Sequence, residues 1–268
     1  MDNGHLFEPT LSAYLGYCAG FCLRYFTIAG LVYWVLYVAL ATRSRPYRIR
    51  ENPPSRRQIS HEIRWSMSNT LCTGLSTLLL YWLLREGRTS MYFEASAYGW
   101  PYFALSIAIA IVGYDAWFYW QHRLLHTPWL FRHVHSVHHR ARNPTAFGAF
   151  AHHPVETFMG NAYFLLLLTL VPLHPLAVGA AGIYIFAAAI VSHMGYEFYP
   201  RGFTRHGLLR WWNTSTHHNM HHRYGTSNFS ILFNHWDRLA GTNHQRYHDV
   251  FDDIKVRVGL VRPRRARA

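Results

Sequence analysis

Apolar runs nearly long enough to cross a lipid bilayer recur along this chain of 268 residues. They occupy residues 26–40, 69–84, 100–120 and 160–193. A membrane-crossing helix needs about 20 apolar residues, so 160–193 is long enough for two passes. Two prolines in "VPLHP" (171–175) favour a turn inside that run. The runs predict an all-α integral membrane protein with about four transmembrane helices. The alternative is a soluble all-helical protein whose apolar helices are buried.

The composition favours the membrane interpretation. Only 15% of the residues are charged, whereas about 25% is usual in soluble domains, and 17% are aromatic. The formal net charge is +13, and Lys255 is the only lysine among 26 basic residues. Such a charge suits either nucleic acid or an anionic membrane surface. Because the arginines flank apolar runs instead of forming one stripe, the sequence predicts no nucleic-acid partner.

Arginine placement also predicts how the runs are oriented. The connection 42–65 carries seven arginines, and the positive-inside rule therefore places it in the cytoplasm. The connection 85–99 has two arginines balanced by two glutamates, so it should lie outside. Counting passes from there brings two histidine-rich segments, 118–140 and 216–225, to the cytoplasmic side. The basic tail 244–268 is predicted on the same side.

Histidine is abundant, with 20 residues, and it is concentrated after the predicted passes. Residues spaced three or four apart share one face of a helix. Imidazole binds borderline transition metals in its neutral form, which is available at cytoplasmic pH. A zinc site takes about four ligands, so eight imidazoles imply two metal ions. One HxxxH and two HxxHH spacings supply these imidazoles: His122 and His126; His135, His138 and His139; His218, His221 and His222.

Three alternatives to an intracellular two-metal centre fit the histidines less well. A solvated, pH-responsive surface accounts for their number but not for the repeated spacing. A zinc peptidase of the HExxH type is excluded, because Arg123 follows His122. A metal transporter would carry its ligands within the passes, where polar groups mark an ion route, whereas these histidines lie just outside them.

The segments "DAWFYWQHRLLH", "HSVHH", "AHHPVE", "SHMGYE", "NTSTHHNMHH" and "FNHWDRLAGT" together resemble the fatty acid hydroxylase/sterol desaturase superfamily of membrane-bound, histidine-rich diiron oxygenases. The resemblance covers roughly 111–243, and the last two segments look most like the sterol desaturase branch. It implies that the eight spaced histidines are iron ligands. His193 and His153 match two further ligand positions, and His217 matches a residue beside the last box that is either a ligand or a supporting group.

The resemblance implies an enzyme that uses O₂ and external electrons to hydroxylate or desaturate a membrane lipid. A cytoplasmic helical cap would hold the two iron ions. No "HPGG" haem motif of a fused cytochrome b5 occurs in the sequence, so electrons are expected from a separate reductase, ferredoxin or cytochrome b5. The stretch "RYGTSNFS" follows only loosely the corresponding segment of sterol C5 desaturases. Sterol, fatty-acyl and other lipid substrates therefore stay open.

Carboxylates near the histidines are candidates for orienting the ligands. Asp115 lies two helical turns before His122, and a carboxylate that accepts a hydrogen bond from an imidazole N–H fixes the orientation of the ring. Glu156 and Asp237 are alternative carboxylates for this role. For Asp237, a salt bridge with Arg238 or another arginine is an equally good interpretation. His133 matches no ligand position and is a candidate supporting group, whereas His152 is either a supporting group or a ligand. The other histidines are predicted at the surface or at an interface: His5, His61, His174, His206, His235, His244 and His248.

The predicted organisation has three parts. Residues 1–110 form an N-terminal transmembrane region with a basic cytoplasmic loop, 111–243 form the catalytic domain, and 244–268 form a basic cytoplasmic tail. Zinc remains an alternative to iron because both metals suit imidazole. A non-enzymatic membrane protein that binds metal or lipid is the competing function.

Overall fold

The computed structural model describes residues 8–94 and 96–259. Within these ranges the regular secondary structure is entirely helical. Two isolated β-bridges join Arg48 to Tyr196 and Trp212 to Phe233. His5 and the last residues of the basic tail, 260–268, lie outside the described residues. The prediction of an all-α protein is confirmed.

Seven longer helices organise the chain. They are α1 (Leu11–Tyr33), α2 (Arg56–Arg85), α3 (Gly99–Leu125), α4 (Pro154–Leu170), α5 (Pro175–His193), α6 (Ser215–Tyr224) and α7 (Tyr247–Arg257). A π-helical turn, Trp34–Ala39, continues α1. Three short helical pieces follow one another between α3 and α4: Pro128–Leu130, Phe131–His135 and Ser136–His139.

Three of these helical segments are long and apolar enough to cross a membrane: Leu11–Ala39, Gly99–Leu125 and Pro175–His193. Helix α4 is apolar but shorter, at 17 residues. Large apolar side chains point outward on these helices; Leu23 is 72% exposed and Ile183 is 71% exposed. Exposing many large apolar side chains to water is unfavourable, whereas contact with lipid is favourable for them. The predicted run 69–84 is the second half of α2, which is not one of the three.

Polar caps and prolines set the limits of the helices around the bundle. The side chain of Thr10 caps the first turn of α1, and that of Ser55 caps α2. Helix α4 ends at Leu170 and α5 begins at Pro175, which agrees with the turn predicted at 171–175. Helices α2 and α4 pack side by side, as do α1 with α2 and α3 with α5.

Aromatic residues lock the N-terminal helix onto the centre of the protein. Phe21 and Tyr25 of α1 pack with Phe147 and Phe186, and the Tyr25 hydroxyl donates to the Phe147 carbonyl oxygen over 2.8 Å. Phe147 belongs to the 3₁₀ turn Ala146–Phe150, which follows the HxxHH spacing at 135–139. The core therefore holds the segment that leads from the histidines into α4.

A buried carboxylate ties the same segment to α2. Glu62 is fully buried, and its side chain accepts hydrogen bonds from the backbone and hydroxyl of Thr145 and from the Gln58 amide. Burial raises the pKa of Glu62 to about 7, although these hydrogen bonds oppose the shift. Helix α2 therefore fixes the position at which the chain enters the 3₁₀ turn.

Candidate metal centre

The first histidine group contains five residues from three parts of the chain. Each can offer one ring nitrogen, and these nitrogens lie within 4.8 Å of one another. Helix α3 ends at this group, the short helices after it supply the next members, and α6 supplies the last. The group comprises His122, His126, His135, His139 and His221. Three of the five are buried, and the other two are partly buried.

The second group contains four buried histidines: His138, His193, His218 and His222. Their ring nitrogens also lie within 4.8 Å of one another. His193 is the last residue of α5, so this helix brings its own ligand candidate to the end of the bundle where α3 finishes. The two groups are adjacent, because the His139 and His222 rings stack with their centroids 4.9 Å apart.

Each HxxHH box divides its residues between the two groups in the same way. In the box at 135–139, the outer pair joins the five-histidine group and His138 joins the four-histidine group. In the box at 218–222, the outer pair joins the four-histidine group and His221 joins the five-histidine group. Successive helical residues are rotated by about 100°, so positions i and i+4 point nearly alike while i+3 diverges from i+4. One short helix can therefore serve both groups.

Backbone carbonyls and one carboxylate fix the tautomers of five rings. In every case Nδ1 must donate, because the partner oxygen can only accept. His122 donates to Phe229 O over 2.6 Å, His193 to Ala189 O over 2.8 Å, His221 to Ser227 O over 2.7 Å, His138 to Ala151 O over 3.4 Å, and His135 to Glu156 Oε2 over 3.0 Å. In the neutral form of each ring, Nε2 then carries the lone pair.

These lone pairs point at one another. Nε2 of His122 lies 3.0 Å from Nε2 of His135, and Nε2 of His138 lies 3.3 Å from Nε2 of His193. Neither atom of either pair has a proton to donate, so each pair is repulsive unless a cation lies between them. Burial, followed by neighbouring imidazoles, lowers the pKa of His138 well below its ordinary value, so a proton does not bridge the His138–His193 pair. The donor set fits a metal ion in each group.

The part of the chain that carries the two histidine groups matches a known family. The model of the family described as Fatty acid hydroxylase matches residues 107–242, about half of the chain and all of both histidine groups. The chain belongs to this family. The matched residues include most of α3 and all of α4, α5 and α6.

Curated relatives of this fatty acid hydroxylase family member are named for sterol oxidation. A Delta(7)-sterol 5(6)-desaturase of Gibberella zeae is 29% identical over 81% of this chain and 67% of its own length. Lathosterol oxidase of Rattus norvegicus is 26% identical over 90% of this chain and 77% of its own. C-4 methylsterol oxidase of Schizosaccharomyces pombe is 35% identical over 50% and 45%. No solved structure matches the chain.

These matches agree with the resemblance to the sterol desaturase branch. The protein is an oxidoreductase of the fatty acid hydroxylase family, and its apolar helices and its relatives make it a membrane protein. Histidine groups compatible with a metal site are part of its family domain.

His153, a predicted ligand, is not brought to either group. Its Nδ1 accepts a hydrogen bond from the Val155 backbone and so caps the first turn of α4. Its ring packs against Trp65, with centroids 5.9 Å apart. The preceding residue is the closer one: the His152 ring centroid lies 5.1 Å from that of His138, and its Nε2 lies 3.8 Å from Glu156.

Three of the predicted supporting groups, Glu156, Asp115 and His217, lie in different surroundings. Glu156 accepts the hydrogen bond of His135, whereas Asp115 accepts one from the Phe233 backbone over 3.1 Å and lies 3.5 Å from His235. His217 is fully buried outside both groups, with Nε2 3.6 Å from Asp237. Asp115 and His217 therefore brace the segment after α6 and do not touch a ring of either group.

The stretch "RYGTSNFS" (223–230), which the sequence analysis noted only for its loose match to sterol C5 desaturases, supports two of the rings. The carbonyl oxygens of Ser227 and Phe229 hold His221 and His122, and both belong to the stretch after α6. Asp237 fixes this stretch: its carboxylate accepts from the backbone N–H groups of Phe229 and Ser230 and from the Thr242 hydroxyl. Backbone acceptors leave no signal in the side-chain sequence.

A cavity of about 270 Å³ adjoins the histidines. Six histidines line it, His122, His135 and His138 among them, and helices α1 to α5 all contribute to the remaining wall. Aromatic residues line much of that wall, with Phe21, Tyr114, Phe118, Phe150, Phe164 and Phe186 among them. An apolar cavity that reaches buried ring nitrogens is a suitable site for oxidising a lipid carbon.

Acid should destabilise the metal-free protein. Burial and the charge of His135 lower the pKa of His126 to about 3, and burial with neighbouring imidazoles lowers the pKa of His218 and His221 well below the ordinary value. Below about pH 6.5 the unfolded chain therefore binds protons that the folded chain does not, so stability falls as pH falls. We expect the thermal midpoint of metal-free protein to drop between pH 7 and pH 5. A midpoint constant across this window would contradict the buried neutral histidines.

Proposed function

We propose that this protein is a membrane-bound non-haem diiron oxidoreductase. It uses O₂ and external electrons to hydroxylate or desaturate a lipid, and a sterol-like lipid is the preferred substrate class. The observation that carries the proposal is the convergence of unprotonated Nε2 atoms in two adjacent, buried groups. The sterol preference rests on what the relatives are named for.

The two groups would hold one iron ion each. Five histidines would bind one ion, and four would bind the other. An iron pair supplies oxidising power toward an unactivated C–H bond, which side-chain acid–base catalysis does not reach. The protein's own contribution is geometric: Nδ1 hydrogen bonds orient the rings, and burial excludes water from them. The cavity presents a lipid carbon to the same face of the site.

Electrons would come from a separate protein that carries an acidic surface, such as a ferredoxin or a cytochrome b5. Basic residues gather near α6: Arg50 donates to Arg142 O over 2.8 Å, and burial together with the charges of Arg223 and Arg142 lowers the pKa of Arg50. Arg223 directly follows His222, so this surface is close to the metal groups. Complementary charge would steer an acidic partner to it.

The proposed topology keeps this surface and both groups on the cytoplasmic side. The seven arginines of 42–65 support that orientation through the positive-inside rule. Within this arrangement 1–110 would be the N-terminal membrane region, 111–243 the catalytic domain and 244–268 a basic tail.

Metal content and lipid products test the function together. Protein purified from iron-supplied cells should contain about two iron ions per chain. With a reductase and ferredoxin added, it should oxidise lathosterol in an O₂-dependent reaction, giving a product that has gained one oxygen atom or lost two hydrogen atoms by mass spectrometry. Zinc-loaded protein is the matched control and should be inactive, because zinc has no accessible redox change.

Two results would overturn this proposal. One is full activity in protein that contains no transition metal, and the other is equal activity in the iron and zinc forms. If lathosterol is not oxidised, lipid extracts of cells with and without the gene should still differ by an added oxygen atom or by two lost hydrogen atoms. An unchanged lipid profile would rule out lipid oxidation.

A further inference from the structure

Two polar rungs cross the cavity wall between α2 and α4. In the first rung the Thr157 hydroxyl donates to Asn69 Oδ1 over 2.8 Å. In the second, one turn along both helices, Asn161 Nδ2 donates to Thr73 Oγ1 over 3.3 Å and to Ser76 Oγ over 3.1 Å. All of these residues except Ser76 line the cavity. Polar side chains inside an apolar bundle join helices or mark binding sites.

The rungs leave amide capacity unused. Asn69 employs its Oδ1, and no described residue takes its Nδ2; Asn161 employs its Nδ2, and no described residue donates to its Oδ1. An asparagine amide can donate two hydrogen bonds and accept two. The contacts between the two helices do not use Asn69 Nδ2 or Asn161 Oδ1. The Asn69 amino group, Nδ2, and the Asn161 carbonyl oxygen, Oδ1, are therefore available at the cavity wall as a donor group and an acceptor.

We propose that this polar notch, formed by Asn69, Thr73, Thr157 and Asn161, binds the hydroxyl group of the lipid substrate. The inference rests on the proposed function, because it names the chemical feature by which that site recognises its lipid. A hydroxyl both donates and accepts. Asn69 on α2 offers its unused Nδ2 as a donor, and Asn161, one turn further along the facing helix α4, offers its unused Oδ1 as an acceptor, so a hydroxyl finds a partner there for each of its two roles.

The notch lies close to the histidines. Thr157 directly follows Glu156, whose carboxylate contacts His135. Asn161 lies five residues beyond Glu156, which is about 7.5 Å along the axis of α4 at 1.5 Å per residue. A hydroxyl held there keeps its own end of the lipid near the metal groups. The cavity of about 270 Å³ is small for a whole lipid but suits one end of it. The oxidised carbon therefore lies within a few bonds of the carbon that bears the hydroxyl.

Equilibrium binding without reductant tests the notch apart from turnover. Full-length, metal-loaded protein should bind lathosterol at least about 10-fold more tightly than a deoxy analogue that lacks the hydroxyl. Asn161→Leu should weaken lathosterol binding about 10-fold and leave binding of the deoxy analogue unchanged. Thr77→Val is the matched control, because this hydroxyl on α2 bonds only the Thr73 carbonyl and does not line the cavity.

The wild-type comparison keeps the test decisive even if Asn161→Leu fails to fold. Equal affinity of wild-type protein for the alcohol and the deoxy compound would overturn the notch. So would equal weakening of both ligands by Asn161→Leu, or a product oxidised only at the end of the lipid remote from its hydroxyl. If lathosterol does not bind at all, the sterol preference fails, and hexadecanol against hexadecane then decides whether the notch selects a hydroxyl.

Discussion

His218→Ala will leave the protein with about one metal ion per chain instead of two and will lower turnover at least about 100-fold. His218 is the centre of the four-histidine group: its Nε2 lies 3.0 Å from that of His193 and 3.2 Å from that of His222. Removal leaves three imidazoles where a buried ion needs about four ligands. Loss of a mere supporting partner typically costs 10–100-fold in metal affinity or activity, so loss of a ligand should cost at least as much. Metal-to-protein ratio and product formation are the measurements.

His153→Ala is the matched control for that variant. Both histidines are predicted ligands, but only His218 lies in a group. His153→Ala should retain two metal ions and near-full turnover, with a loss of about 1 kcal/mol in unfolding free energy from the missing cap of α4. Loss of one metal ion in His153→Ala, or two ions and full activity in His218→Ala, would contradict the assignment of the groups.

The local spacing of histidines was informative because it is a property of a single helix. HxxxH and HxxHH place side chains on neighbouring faces whatever the tertiary structure, and the structure gathers all eight of those residues. His193 and His153 depended on resemblance alone, and the structure brings only the first to a group. The sequence could not separate His152 from His153, because which of two adjacent rings points inward depends on where the helix cap forms.

Hydropathy located the helices, but the range that it predicted for α2 was too short. The run 69–84 extends back to Arg56 in α2, because polar residues such as Glu62 and Ser66 face the protein interior and find partners there. The notch has the same origin: Asn69 and Asn161 interrupt apolar runs, but their meeting through α2 and α4 is a tertiary event. Likewise, the carbonyls of Ser227 and Phe229 gain their role only when the chain folds back onto α3 and α6.

Asp237→Asn should weaken metal binding in the five-histidine group about 10–100-fold, although Asp237 touches none of its rings. The fully buried carboxylate accepts hydrogen bonds from Phe229 N at 2.9 Å, Ser230 N at 2.8 Å and the Thr242 hydroxyl at 2.7 Å. In the amide, an NH₂ group replaces one acceptor oxygen and opposes a donor. The stretch whose carbonyls orient His122 and His221 is then released. Chelator competition measures the metal affinity.

The same substitution should lower unfolding free energy by about 1–3 kcal/mol, the usual cost of leaving a buried donor unmatched. Asp252→Asn is the control, because it removes an equal charge from a carboxylate that pairs with Arg205 near the surface. A general loss of stability would reduce occupancy of both groups, whereas release of the Ser227–Phe229 carbonyls should empty the five-histidine group first. Equal loss from both groups, or affinity unchanged in Asp237→Asn, would refute a role for this aspartate in orienting the rings.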